Sequence, residues 1–177
     1  RVLAGALTVM APWIQAAGRL RCLVQGCCHG APCGDGAEGG IRYIRDQSRV
    51  CRIAHLKGVA VHPTPLYSIL GNIVIGVVLA RLWRVGAEPM MVAGLYLVLA
   101  GLSRFVEESY RGEPQTPMKW GLRLYQWFAV MSMGAGAVVM GVAWGGTTPA
   151  TEWNWSAVGA GAAMGLAALA IIAFLAF

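Results

Sequence analysis

The chain has 177 residues, 57% of them hydrophobic and 12% charged, with a formal net charge of +6. A soluble domain carries about 25% charged residues, so this composition argues against a water-soluble globule. The positive charge comes without an aromatic-plus-basic module, which argues against nucleic acid and toward anionic lipid headgroups.

The apolar residues form blocks rather than core-spaced stripes, and a block of about 20 residues crosses a hydrocarbon layer as a helix. A helix apolar on all sides has no face for water. The fold expected is therefore all-α: a polytopic transmembrane helix bundle, one domain over residues 1–177, with about five membrane segments. The first runs from Val2 to Ala17; it is short, contains Pro12 and is expected to be truncated or to span only in part. One long, basic, Gly-rich loop follows, Arg19 to Thr64, about 45 residues. Gly34, Gly36, Gly39 and Gly40 are expected to make its middle flexible, and loops this long are usually functional or disordered.

The second segment is expected from Pro65 to Trp83, with Thr64 as N-cap and Pro65 as the first helical residue. The third runs from Pro89 to Tyr110. A short polar loop with Pro114 and Pro117 leads to the fourth, Leu122 to Trp144. The last, Trp155 to Phe177, is rich in small residues such as Gly159, Gly161 and Gly165, which permit close helix approach. Trp120, Trp127, Trp144, Trp153 and Trp155 fall near segment ends, where indole rings favour the interface.

If all five segments span, most arginines share one side with the long loop, and the positive-inside rule makes that side cytoplasmic. Arginines placed for chemistry would void that inference. The chain begins at Arg1 rather than Met, so a fragment or domain cut is expected.

Three constellations carry candidate chemistry. The first is Gly18-Arg19-Leu20-Arg21-Cys22-Leu23-Val24-Gln25-Gly26-Cys27-Cys28-His29-Gly30. Arg19 can grip a phosphate through its guanidinium fork, and Gly26 and Gly30 would let backbone N–H groups approach an anion. The alternative is that Arg19 and Arg21 only snorkel to headgroups. Cys22, Cys27, Cys28, Cys33 and Cys51, with His29 and His55, could be metal ligands. The adjacent pair departs from the usual spacing and the count is odd, so small residues packed in a Gly-rich turn are the simpler reading.

The second constellation is His62-Pro63-Thr64-Pro65-Leu66-Tyr67. A helix N-terminus favours neutral imidazole, which can accept a proton from a thiol or hydroxyl; the alternative is a histidine that only bonds the turn. The third is Arg104-Phe105-Val106-Glu107-Glu108-Ser109-Tyr110-Arg111. Arg104, Glu108 and Arg111 stand at i, i+4 and i+7 and would share a helix face. Charge inside an apolar segment faces a bundle interior or cavity, so Glu108 would orient Arg104 toward a ligand. The alternative is an ordinary ion pair at a helix end.

At these residues the sequence resembles the prolipoprotein diacylglyceryl transferase family, over roughly residues 5 to 145. Gly18-Arg19…Gly26-Cys27-Cys28-His29-Gly30 is similar to its signature loop, His62 to Tyr67 to its second motif, and Arg104-Phe105…Glu108…Arg111 followed by Pro114 to its third. Gln126 stands where the family has a glutamine opening the next helix.

The resemblance implies a membrane enzyme of the bacterial cytoplasmic (inner) membrane. It would move the diacylglyceryl group of phosphatidylglycerol onto the lipobox cysteine of a prolipoprotein signal peptide, with no cofactor and no metal. By the same resemblance Arg19 and Arg104 bind the leaving phosphate, His62 helps activate the thiol, and Gly30 lines the headgroup site. Gln25, Gly26, Tyr67, Glu108 and Arg111 complete the candidate substrate-binding set. The family's site opens to the outer face of that membrane, against the positive-inside count.

The sequence also departs from the pattern. Ser68 stands where a glutamate is usual, Ala100 where a tyrosine is, and Arg21 where many members have glycine. The family's upstream half, with a His-Gly-Gly loop, has no counterpart, and Trp155 to Phe177 extends beyond the usual last helix. Two other readings stay open: a non-catalytic binder of anionic phospholipid or lipoprotein, and a small transporter or metal-handling protein built on the Cys/His loop.

Overall fold

The structure is a computed structural model and describes residues 1–34, 39–112 and 117–142. In chain order the elements are α1 (Val2–Gln25), β1 (Ile41–Arg42), α2 (Arg49–Arg52), β2 (Ala60–Val61), α3 (Thr64–Arg84), α4 (Pro89–Ser109), β3 (Met118–Lys119), β4 (Leu122–Arg123) and α5 (Leu124–Gly141). The fold is an all-α helix bundle of membrane type. Among the described residues α3, α4 and α5 are long and apolar enough to cross a membrane, with 21, 21 and 18 residues. Leu70, Val74, Val77 and Met131 point outward from them and are more than half exposed, as lipid-facing side chains are.

This count is lower than the five segments expected. The segment 155–177 lies outside the described residues. The first segment does not stop at Ala17: α1 continues for 24 residues to Gln25, so Arg19 and Arg21 sit on helix rather than in a loop. It is long enough to span, but its last turns carry those two arginines, and it is not among the three helices that qualify by composition.

The helices run up and down. The start of α1 meets the end of α3 and the start of α4, where a Cβ on Gly5 would touch Trp83 and Pro89. Val9, Ile75, Leu79 and Val92 form the apolar core at this end. The opposite end gathers the end of α1, the start of α3, the end of α4 and the start of α5. The helices α4 and α5 pack closely through Gly94, Gly101 and Gly136, each facing backbone of the other helix.

The long loop is shorter and better tied than its composition suggests. It folds onto the end of α1 as an antiparallel clip, with Ile41 paired to Val61 and Arg42 to Ala60. Val50 and Val61 are fully buried, and the Tyr43 hydroxyl donates to the Leu23 carbonyl at 2.9 Å. Between α4 and α5 stands a two-residue hairpin turn, Trp120-Gly121, with φ of 56° and 78°. Left-handed φ at both positions is what a tight antiparallel hairpin requires. Trp120 is 82% exposed beside the Trp127 ring, a position suited to the membrane interface.

Candidate functional site

At the helix end away from the core, two carboxylates lie among four guanidiniums. Glu107 is 3% exposed and Glu108 is fully buried. Glu107 Oε1 accepts a hydrogen bond from Arg104 Nη1 at 2.9 Å and lies 3.3 Å from Arg19 Nη2 and 3.6 Å from Arg111 Nη2. Glu108 is 3.5 Å from Arg111 Nε, 3.8 Å from Arg123 Nη1 and 3.9 Å from Arg104 Nη2. Among the described residues, these four guanidiniums against two carboxylates leave a formal surplus of two positive charges. Charges removed from water must be paired, and a surplus cation cluster at the membrane edge suits an anion.

The arrangement corrects the expected geometry of the third constellation. The residue that orients Arg104 is Glu107, one turn on at i+3, more closely than Glu108. Arg111 lies just past the end of α4 at Ser109, yet its guanidinium meets the same two carboxylates as Arg104. The Tyr110 carbonyl accepts the Ala31 N–H at 2.9 Å, and Arg111 pairs with Gly30 across an isolated bridge. Sequence reasoning also missed Arg123, just before α5. The cue for Glu107 was available, since two successive carboxylates on an apolar helix both need partners. Arg123 carries no comparable cue.

Gly26 and Gly30 do not offer their N–H groups to an anion. Gly26, at φ 66°, closes α1 and donates to the Cys22 carbonyl. The Gly30 N–H donates to the His62 carbonyl at 2.9 Å, and a Cβ there would lie 2.8 Å from both the His62 and the Tyr110 carbonyl oxygens. Gly30 is therefore the crossing point of the three motifs, where only hydrogen fits between two backbones. Thr64 is the first residue of α3 rather than its N-cap, and its hydroxyl donates to the Cys28 carbonyl.

Among the described residues, three cavities border Glu107, Arg19 or Arg104. The largest, about 780 Å³, lies between α3 and α4 and is lined by His62, Tyr67, Val74, Leu102, Glu107 and Tyr110 among others. Across α4, Arg19, Arg104, Tyr96, Tyr125 and Phe128 line a second of about 520 Å³. A small polar void of about 50 Å³ lies between, bounded by Gln15, Arg19, Ser68, Asn72, Ala100, Ser103, Arg104 and Glu107. Ser68 and Ala100, two of the three positions at which the resemblance led us to expect other residues, both border this void.

Arg19 and Arg104 are thus brought together, while His62 lines the other cavity, with Glu107, Ser68 and Ser103 as the shared wall. His62 Nδ1 is 3.4 Å from the Tyr67 hydroxyl, and its ring centroid is 5.3 Å from that of Tyr110. Gln25 ends α1 and lines none of these three cavities. Gln126 is 8% exposed; its side chain accepts the Arg123 N–H at 2.9 Å and donates to the Ser109 hydroxyl at 3.2 Å, joining α5 to the end of α4.

The sequence profile of the prolipoprotein diacylglyceryl transferase family matches residues 2–142. A curated phosphatidylglycerol–prolipoprotein diacylglyceryl transferase from Clostridium tetani is 29% identical over 101 residues, 57% of this chain. The chain spans 37% of that relative's length in the match. No solved structure matches.

Proposed function

The chain belongs to the prolipoprotein diacylglyceryl transferase family, and from that premise we propose that its site transfers the diacylglyceryl group of phosphatidylglycerol to a lipobox cysteine in the bacterial cytoplasmic membrane. The observation that carries the reading is the single Glu107 oxygen contacted by Arg19 from α1 and Arg104 from α4. One carboxylate holds two guanidinium forks beside a cavity that can take a phosphodiester.

In the proposed step the cysteine sulfur attacks the diacylglyceryl carbon attached to the phosphodiester oxygen. The S–C bond forms, that C–O bond breaks, and glycerol phosphate leaves with the electron pair. Arg19 and Arg104 neutralise the charge that grows on the phosphate as the bond breaks. The thiol becomes nucleophilic only on losing its proton, and His62, in the adjoining cavity, is the candidate acceptor. The two larger cavities, one on each side of α4, give separate apolar room for acyl chains and for a signal-peptide segment.

The test is complementation of a transferase-depleted bacterium by the full natural protein, with Arg19→Ala and Arg104→Ala as controls. Rescue by wild type and its loss in both variants support transfer. A well-expressed wild type that gives no rescue rejects it.

Ser68 and Ala100 favour a second reading, in which the same arginines bind anionic phospholipid or lipoprotein without turnover. Both are small where the family pattern has larger functional side chains. Tight binding of phosphatidylglycerol with no product in the transfer assay would select this reading.

A further inference from the structure

We propose that Cys22, Cys27 and Cys28 form a site for a soft metal cation, Zn²⁺ or Cu⁺, that fastens the end of α1 to the start of α3. The backbone makes the cluster. Gly26 turns left-handed at the end of α1, and the Cys27 N–H follows it back to the Cys22 carbonyl at 3.1 Å. Cys28 is also left-handed, with φ of 57°, a conformation that side-chain-bearing residues rarely adopt. The result puts the three sulfurs within 4.8 Å of one another. Three thiolates on one zinc ion, at a Zn–S length of about 2.3 Å, stand about 3.8 Å apart, within reach of small side-chain rotations.

Among the described residues no histidine or carboxylate joins this group. An all-sulfur set selects soft d¹⁰ cations over hard ones. Three sulfurs complete a trigonal cuprous site, or a zinc site with one position left for an exogenous ligand.

The other two cysteines are placed differently. The Cys51 thiol donates to the Tyr43 carbonyl at 3.3 Å, and the Cys33 N–H bonds Ala60 at 2.8 Å on the far side of the Gly30 crossing. Since the Cys28 carbonyl accepts the Thr64 hydroxyl, an ion here would brace the turn between Arg19 and the His62 motif. The proposal does not depend on whether the chain is a transferase.

The experiment is metal analysis of the reduced, detergent-solubilised full chain after separate loading with Zn²⁺ and with Cu⁺ and removal of excess ion. One equivalent of either ion is expected, and the arm that retains it identifies the metal. Retention should be lost in Cys22→Ser, Cys27→Ser and Cys28→Ser and kept in Cys33→Ser and Cys51→Ser. Should the serine variants fail to fold, alkylation mapping of wild type with and without metal replaces them: Cys22, Cys27 and Cys28 should be protected and Cys33 should not. Absence of a retained equivalent in both arms overturns the proposal. So does retention that survives loss of all three thiols, equal protection of all five cysteines, or a stable disulfide within the triad of the native protein.

Discussion

Arg19 on α1 reaches across the helix interface to Glu107 on α4, with 3.3 Å between Nη2 and Oε1. The same carboxylate oxygen takes a hydrogen bond from Arg104 at 2.9 Å. A cation pair that would repel is thereby held at one place, with a carboxylate between that an incoming phosphate can supplement as a counter-charge.

Removing that carboxylate should loosen Arg19 and leave Arg104 only its 3.9 Å approach to Glu108. Glu107→Ala leaves buried positive charge without its partner, a change that costs about 3–5 kcal/mol for a fully buried pair. Because Arg19 and Arg104 are 21% and 28% exposed, solvent screening lowers the expected loss to about 2–3 kcal/mol. Thermal unfolding in detergent measures it, and added phosphatidylglycerol should restore part of the loss in Glu107→Ala by supplying the missing negative charge.

Arg19→Lys and Arg104→Lys keep the charge and lose the planar fork. Each should lower the maximal transfer rate by about 10²-fold while the protein stays folded, the scale found when one donor to a developing anion is removed. Rates at saturating phospholipid, with the helical circular dichroism signal as control, separate this from unfolding.

Gly30→Ala inserts a Cβ 2.8 Å from the His62 and Tyr110 carbonyl oxygens. It should destabilise by about 1–3 kcal/mol and move His62 and Tyr110 together. Gly134→Ala on α5, with nothing within 4 Å of the new atom, should stabilise by roughly 0.5–1 kcal/mol, because alanine favours helix over glycine. Paired denaturation curves check both.

His62→Gln retains a polar side chain and removes the proposed base. Transfer should fall by about 10²–10⁴-fold with little change in phospholipid affinity, because the arginines lie in the neighbouring cavity. A fall in affinity as large as the fall in rate would mark His62 as structural.

Two of the membrane segments were closely legible because length and apolarity are properties of contiguous residues: α3 and α4 begin and end within a residue or so of the expected bounds. The end of α1 was not legible. Arg19 and Arg21 read as a loop after an apolar run, yet the helix continues through them until Gly26 supplies the left-handed exit. The site was legible as three motifs but not as a geometry. Gly30 joins His62 and Tyr110 by close backbone approach, and Arg123 meets Glu108 across 15 positions of chain. Such contacts depend on where helices cross, which local patterns do not encode.

The most direct test is product formation. The full natural protein, purified in detergent, is incubated with phosphatidylglycerol and a lipobox peptide, and the peptide is weighed by mass spectrometry. A diacylglyceryl adduct on the cysteine, with glycerol phosphate released and both lost in Arg19→Ala and Arg104→Ala, is the expected result. An unmodified peptide alongside retained phosphatidylglycerol binding would contradict transfer and leave these arginines as a lipid-binding site.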